Sequence, residues 1–116
     1  MTAKVFIDGE VGTTGLQIRA RLETRDDITL ISLPEESRKS RLARIGAFAE
    51  ADVAILCLPD AAVQEIAPDL AQQPCRVIDA STAHRTDPNW EFGFAELDAR
   101  ARDRIAGAKY VSNPGC

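Results

Sequence analysis

Lys4-Val5-Phe6-Ile7-Asp8-Gly9-Glu10-Val11-Gly12-Thr13-Thr14-Gly15 is the stretch that decides the fold. Its first five residues read as a buried strand. Glycines then follow at G-x-x-G-x-x-G spacing, a departure from the commoner G-x-G-x-x-G. The physical logic is shared between the two patterns. A strand ends, residues without a side chain let backbone amides come close, and a helix begins with N–H groups free to hold phosphate. Gly9, Gly12 and Gly15 are therefore candidate cofactor-binding residues, with hydroxyl donors from Thr13 and Thr14. A glycine-rich turn that holds nothing stays open on this stretch alone.

The rest of the chain repeats the same alternation. Residues 16–22 place apolar side chains at period two, which formally suits a strand, but Leu, Gln, Arg and Ala are good helix formers. We read a helix that buries two sides, Leu16/Ala20 and Ile18/Leu22. Residues 25–27 make a polar turn, and 28–33 a second, almost wholly apolar strand of the kind buried in parallel sheets. Residues 38–51 form a basic amphipathic helix with Leu42, Ile45, Phe48 and Ala49 inward and a solvated polar face. Residues 52–59 make a third strand, with Cys57 as a small core residue. Asp60 is placed to cap a helix over 61–70 that Pro68 bends or ends. A fourth strand spans 76–80. Residues 87–90 turn, Phe92-Gly93-Phe94 pack around that turn, 97–105 form a short helix and 109–111 a last strand. Cys75 carries no chemistry in this reading. The expected architecture is a single α/β domain over residues 1–116, Rossmann-like and doubly wound, with a mainly parallel sheet and helices on both faces.

In such a sheet every strand delivers its following loop to the same edge, where ligands lie. Leu33-Pro34 occupies the second strand's tip, where an NAD site usually carries an acid for the ribose hydroxyl. Ser37 and Arg38 could instead hold a 2′-phosphate, which points to NADP; a solvated mixed-charge loop with Glu35 and Glu36 is the competing reading. Leu58 and Pro59 follow the third strand. Ser81-Thr82-Ala83-His84-Arg85 follows the fourth, as either an anion-gripping cluster or a capped surface turn. In it His84 is expected to pack with its polar edge wet. Cys116 ends Ser112-Asn113-Pro114-Gly115-Cys116, a thiol behind a rigid turn at that same edge. This convergence marks Cys116 as the candidate nucleophile.

Composition narrows the function classes. Apolar residues at 45% and charged residues at 28% suit a water-soluble globular domain. A formal charge of −4 argues against a nucleic-acid or anionic-membrane surface. No apolar run approaches the ~20 residues that span a bilayer. The start of the chain shows no signal-peptide pattern, and three cysteines without metal-like spacing fit reduced thiols in the cytoplasm. A single histidine leaves no metal site to expect.

Three motifs together, Ile7 to Leu16, Asp79 to Arg85 and Ser112 to Cys116, closely resemble the N-acetyl-gamma-glutamyl-phosphate reductases in their shorter subtype. The resemblance covers the whole chain in order. It implies reversible, NADPH-dependent reduction of N-acetylglutamyl phosphate to the semialdehyde with release of phosphate, in arginine biosynthesis. It implies that Cys116 is the nucleophile forming a thioester and that Arg85, with Asn113, binds the phosphate group. Gly12, Thr13, Thr14 and Gly15 would then line the pyrophosphate, Ser37 and Arg38 the 2′-phosphate, and Ser81 and Thr82 the nicotinamide side. Members continue past this cysteine into a second, α+β domain with a histidine acid/base, most of the substrate pocket and the surface of a homo-oligomer. The chain is thus expected to be the N-terminal, cofactor-binding part, inactive by itself. An aspartate-semialdehyde-dehydrogenase-type enzyme and a non-catalytic NADP-binding module are the alternatives; the Gly115-Cys116 pair, where the former reads Asn-Cys, favours the reductase.

Overall fold

The computed structural model describes residues 2–9, 12–85 and 87–113. Among the described residues six strands and four α-helices follow in the order β1 (Ala3–Asp8), α1 (Thr13–Leu22), β2 (Ile28–Ile31), α2 (Arg41–Glu50), β3 (Val53–Leu56), α3 (Asp60–Leu70), β4 (Arg76–Asp79), β5 (Glu91–Phe92), α4 (Ala101–Gly107) and β6 (Tyr110–Ser112). They build one sheet in the order β2-β1-β3-β4-β6-β5. Every described pairing is parallel. The doubly wound expectation holds, and the sheet is more uniformly parallel than it required.

The chain leaves β1 for β2 on one side and then crosses back to β3 on the other. Right-handed crossovers in opposite directions put their helices on opposite faces. So α1 covers one face while α2 and α3, which pack on each other, cover the second. The reversal opens a crevice at the C-terminal ends of β1 and β3. Under it sits the core: Phe6 meets Phe48 edge-on at 5.2 Å, backed by Leu56, Val63, Leu70, Cys75 and Val77.

Several local expectations need correction. The glycine loop ends earlier than expected, because α1 begins at Thr13, with Gly12 as its N-cap. That helix buries one side only: Gly15 is buried, Ile18 and Leu22 are half-buried, and Leu16 and Ala20 face solvent. Strand β2 stops at Ile31. The helix expected from residue 38 starts at Arg41, because a 3₁₀ turn, Glu35–Ser37, intervenes and the Ser40 hydroxyl caps the Ala43 amide. Its inward side is Ala47 and Phe48; Leu42 is 82% exposed. Pro68 lies inside α3, which runs on to Leu70. The last helix starts at Ala101 and runs to Gly107, and residues 91–92, read as packing around a turn, form a parallel edge strand.

Candidate active site

Two adjoining cavities open along the crevice. The first, about 260 Å³, has apolar walls from Phe6, Leu33, Leu58 and Ala62 and a charged rim of Asp8, Arg38, Lys39 and Arg44. The second, about 230 Å³, is lined by Gly12, Thr13, Thr14, Cys57, Leu58, Pro59 and Ala80. Leu58 belongs to both. Gly9, Gly12, Thr13, Thr14, Arg38, Leu58 and Pro59, all named from sequence, therefore line one or the other of these two neighbouring cavities, and Gly15, buried in α1, lines neither. Ser37 lies in the 3₁₀ turn beside Arg38 and does not line either cavity.

The two described loop glycines have different reasons to be glycine. Gly9 has φ +91°, and a Cβ there would sit 2.4 Å from the Cys57 carbonyl oxygen. Close approach of β1 to β3 dictates that residue, before any ligand is considered. Gly12 has φ −75°, and its nearest obstacle would be the Gly9 oxygen at 3.5 Å. Among the described residues a Cβ there meets only ordinary contact, and it would stand beside the second cavity. The first amides of a helix have no intrahelical acceptor; here the Leu16 amide is bonded to the Gly12 carbonyl at 2.8 Å, and the amides of Thr13 to Gly15 precede it. The cradle thus fits a pyrophosphate.

Arg44 is the side chain that sequence reasoning missed in the first cavity. It reaches from α2 to the end of β1 and takes Asp8 with Nε at 3.1 Å from both carboxylate oxygens and Nη2 at 2.5 Å from Oδ2. The α2 polar face expected in solvent is therefore turned inward at this position. Burial is the largest influence on Asp8 and raises its pKa; Arg44 acts in the opposite direction. Cys57, expected in the core, is half-buried on the second cavity, and burial, with the charges of Asp8 and Asp79, pushes its thiol up to about 11.

At the end of β4 the hydroxyl-rich loop folds around Asp79, which is fully buried. Its carboxylate accepts from the Ser81 amide at 2.8 Å, from Ser81 Oγ at 2.9 Å and from His84 Nδ1 at 2.9 Å. His84 is also stacked on Trp90, centroids 4.1 Å apart, so the expected wet edge is replaced by a buried contact. The Thr82 amide and hydroxyl both donate to Asp60, whose carboxylate holds this loop and does not cap α3. These bonds hold Asp60 below its ordinary carboxylate range. The Ser81 and Thr82 hydroxyls accordingly donate within the protein. Periodicity carried no sign of these ties: Asp60 and Thr82 are brought together by the sheet, and the bonds to Asp79 fold the loop back on the strand end it has just left.

Arg85 donates from Nε to the Asn113 carbonyl at 3.1 Å and from Nη2 to the Ala80 carbonyl at 3.5 Å. The Asn113 amide in turn donates to the Asp79 carbonyl at 2.8 Å. The ends of β4 and β6 are thereby joined, and Asn113 is three residues before Cys116. Cys116 itself, with Pro114 and Gly115, lies outside the described residues.

A family model described as semialdehyde dehydrogenase, NAD-binding domain, matches residues 4–106. The chain belongs to the semialdehyde dehydrogenase family. Among curated relatives it is similar to the N-acetyl-gamma-glutamyl-phosphate reductase of Chelativorans sp. (strain BNC1), 57% identical over 116 residues, all of this chain and 37% of that protein. The enzyme of the same name from Brucella suis is 54% identical over 117 residues, covering 38% of its length. The chain thus spans well under half the length of the curated relatives it matches. Among solved structures it is similar to aspartate semialdehyde dehydrogenase II of Vibrio cholerae, with TM-score 0.71 and 18% identity over 98% of this chain and 42% of that one. The Candida albicans aspartate semialdehyde dehydrogenase solved with NADP gives TM-score 0.70 at 14% identity, over 97% and 42%. These structural likenesses show the shared fold. No described helix is long and apolar enough to cross a membrane.

Proposed function

We propose that this chain forms the cofactor-binding part of an NADPH-dependent reductase that converts N-acetylglutamyl 5-phosphate to N-acetylglutamate 5-semialdehyde and phosphate. The observation that carries this reading is the pair of cavities at the switch point of the sheet, sharing Leu58 and lined between them by Gly9 and Gly12 to Thr14 and by residues 57–59. The curated relatives bearing that enzyme name supply the substrate. The family supplies a nicotinamide cofactor; Arg38 and Lys39 on the first cavity, and Leu33-Pro34 where an acid would grip a ribose diol, favour NADP over NAD. The neighbour solved with NADP agrees.

In this reading the apolar first cavity takes the adenosine end, Arg38 and Ser37 take the 2′-phosphate, and the first amides of α1 take the pyrophosphate. The Cys116 thiolate attacks the acyl carbon; a C–S bond forms, the C–O bond to phosphate breaks, and inorganic phosphate leaves. A thiolate suits both halves of the reaction because it attacks well near neutral pH and leaves well. The cofactor, when bound, supplies the hydride that reduces the thioester. Arg85 holds the Asn113 carbonyl beside the nucleophile segment and presents its charge to the phosphate. The acid/base group and the rest of the substrate pocket belong to the part of the enzyme beyond this chain, which forms a homo-oligomer in the cytoplasm. The test is phosphate-dependent NADP reduction by the full protein with N-acetylglutamate 5-semialdehyde. No NADPH formed, or equal rates without phosphate, would overturn the proposal.

A further inference from the structure

Among the described residues the first cavity holds one acid, Asp8, beside its cations, and that acid is matched. Asp8 ends β1 with its side chain 5% exposed; Arg44 covers it with its own side chain 19% exposed. Both of Asp8's oxygens are engaged, in a geometry that only a guanidinium supplies. Arg38 and Lys39 stand on the same cavity from the segment after β2. With Arg44 in place the charge of Asp8 is offset. Without it, a desolvated carboxylate faces whatever sits there.

Resting on the cofactor reading above, we propose that Arg44 is a specificity-determining residue that keeps the cleft selective for a 2′-phosphorylated nucleotide by masking Asp8. Asp8 stands at the end of the first strand; the acid that grips the ribose diol in NAD sites normally stands at the end of the second. Masked, Asp8 is invisible to a phosphate. Unmasked, it repels a dianion and tolerates a neutral diol, because like charges brought together cost several kilocalories per mole while a hydroxyl can donate to a carboxylate. The fold uses an acid–guanidinium pair here where an apolar pair would close the same gap, so the charge on each member has a consequence for the ligand.

The experiment is calorimetric titration of the full protein with NADP and with NAD at pH 8. Arg44→Gln is expected to weaken NADP by about tenfold or more and NAD by less than about threefold. Adding Asp8→Asn to that variant is expected to restore most of the NADP affinity, since no acid is left to mask. Arg44→Lys keeps a cation beside Asp8 without the paired fork, and is expected to keep the direction of the NADP preference with a smaller loss than Arg44→Gln. Equal losses for both nucleotides in Arg44→Gln, no recovery in the double variant, or loss of preference in Arg44→Lys would each overturn the masking role. Wild-type protein that binds neither nucleotide would overturn the cofactor reading, and the inference with it.

Discussion

Arg85 holds the backbone of Asn113: its Nε donates to the Asn113 carbonyl oxygen at 3.1 Å. The two residues are 28 apart in sequence; Arg85 lies in the loop after β4 and Asn113 directly follows the adjacent strand β6. A side chain placed by sequence on the phosphate group is thus also a splint for the segment that leads to Cys116.

The two roles separate by experiment. Arg85→Ala is expected to raise the KM for phosphate in the aldehyde-oxidising direction by about tenfold or more, the loss of one charge-assisted bond. It is also expected to slow alkylation of Cys116, because the strand end that precedes it is released. Arg85→Lys keeps the charge and loses the planar fork, so it should recover part of the phosphate affinity and little of the alkylation rate. An alkylation rate unchanged in both variants would show that the Asn113 contact does not position the nucleophile.

The glycine loop makes an opposed pair of predictions. Gly9→Ala places a Cβ 2.4 Å from the Cys57 carbonyl oxygen and demands positive φ of a non-glycine residue. Two costs coincide there, strain and overpacking, and together they should destabilise by roughly 2–4 kcal/mol. Gly12→Val meets no such obstacle within the chain and should melt close to wild type while losing NADP affinity. Thermal melts with and without NADP distinguish the two. A Gly12→Val protein that binds NADP normally would move the pyrophosphate elsewhere.

Acid should loosen the loop after β4 through Asp60. Its folded pKa lies below the ordinary 3.8, with the Thr82 hydroxyl bond the largest cause and the Thr82 amide bond the next. A depressed carboxylate lends stability that is present above the unfolded value and lost as pH falls through the folded one. The Thr82 amide resonance should therefore titrate below pH 3.8 with Asp60. In Asp60→Ala it should already sit at the released position at neutral pH. An unchanged Thr82 resonance in that variant would contradict the tie.

The fold was legible because its signals are local and repeated. Each of the first three apolar strands in the sequence is followed by a helix-forming stretch, and the first carries its glycines directly behind it. The cleft was legible for a similar reason: in a parallel sheet, position after a strand is position at the ligand edge. Asp8–Arg44, Asp79–His84 and Asp60–Thr82 were not legible. Asp8–Arg44 and Asp60–Thr82 join residues far apart in sequence, and Asp79–His84 depends on how one loop folds back on its strand, while the neighbourhood of each residue reads only as strand, polar helix face or turn. His84 shows the cause most plainly. As a polar residue in a loop it reads as wet, and only the fold places a buried carboxylate and the Trp90 ring against it. Leu42 is the reverse case, an apolar residue at helical spacing that the packing of α2 leaves outside.

Acyl transfer to Cys116 tests the central claim most directly. The full protein is mixed with N-acetylglutamyl phosphate in the absence of NADPH, quenched in acid, digested and mapped by mass spectrometry. Cys57, its thiol held up to about 11, and Cys75, buried and likewise raised, are internal controls that should stay unmodified. The account predicts one N-acetylglutamyl group on the peptide containing Cys116, released as aldehyde when NADPH is added, and none in Cys116→Ser. Acyl label on another residue, or a Cys116→Ser protein that still turns over at a near-normal rate, would contradict it.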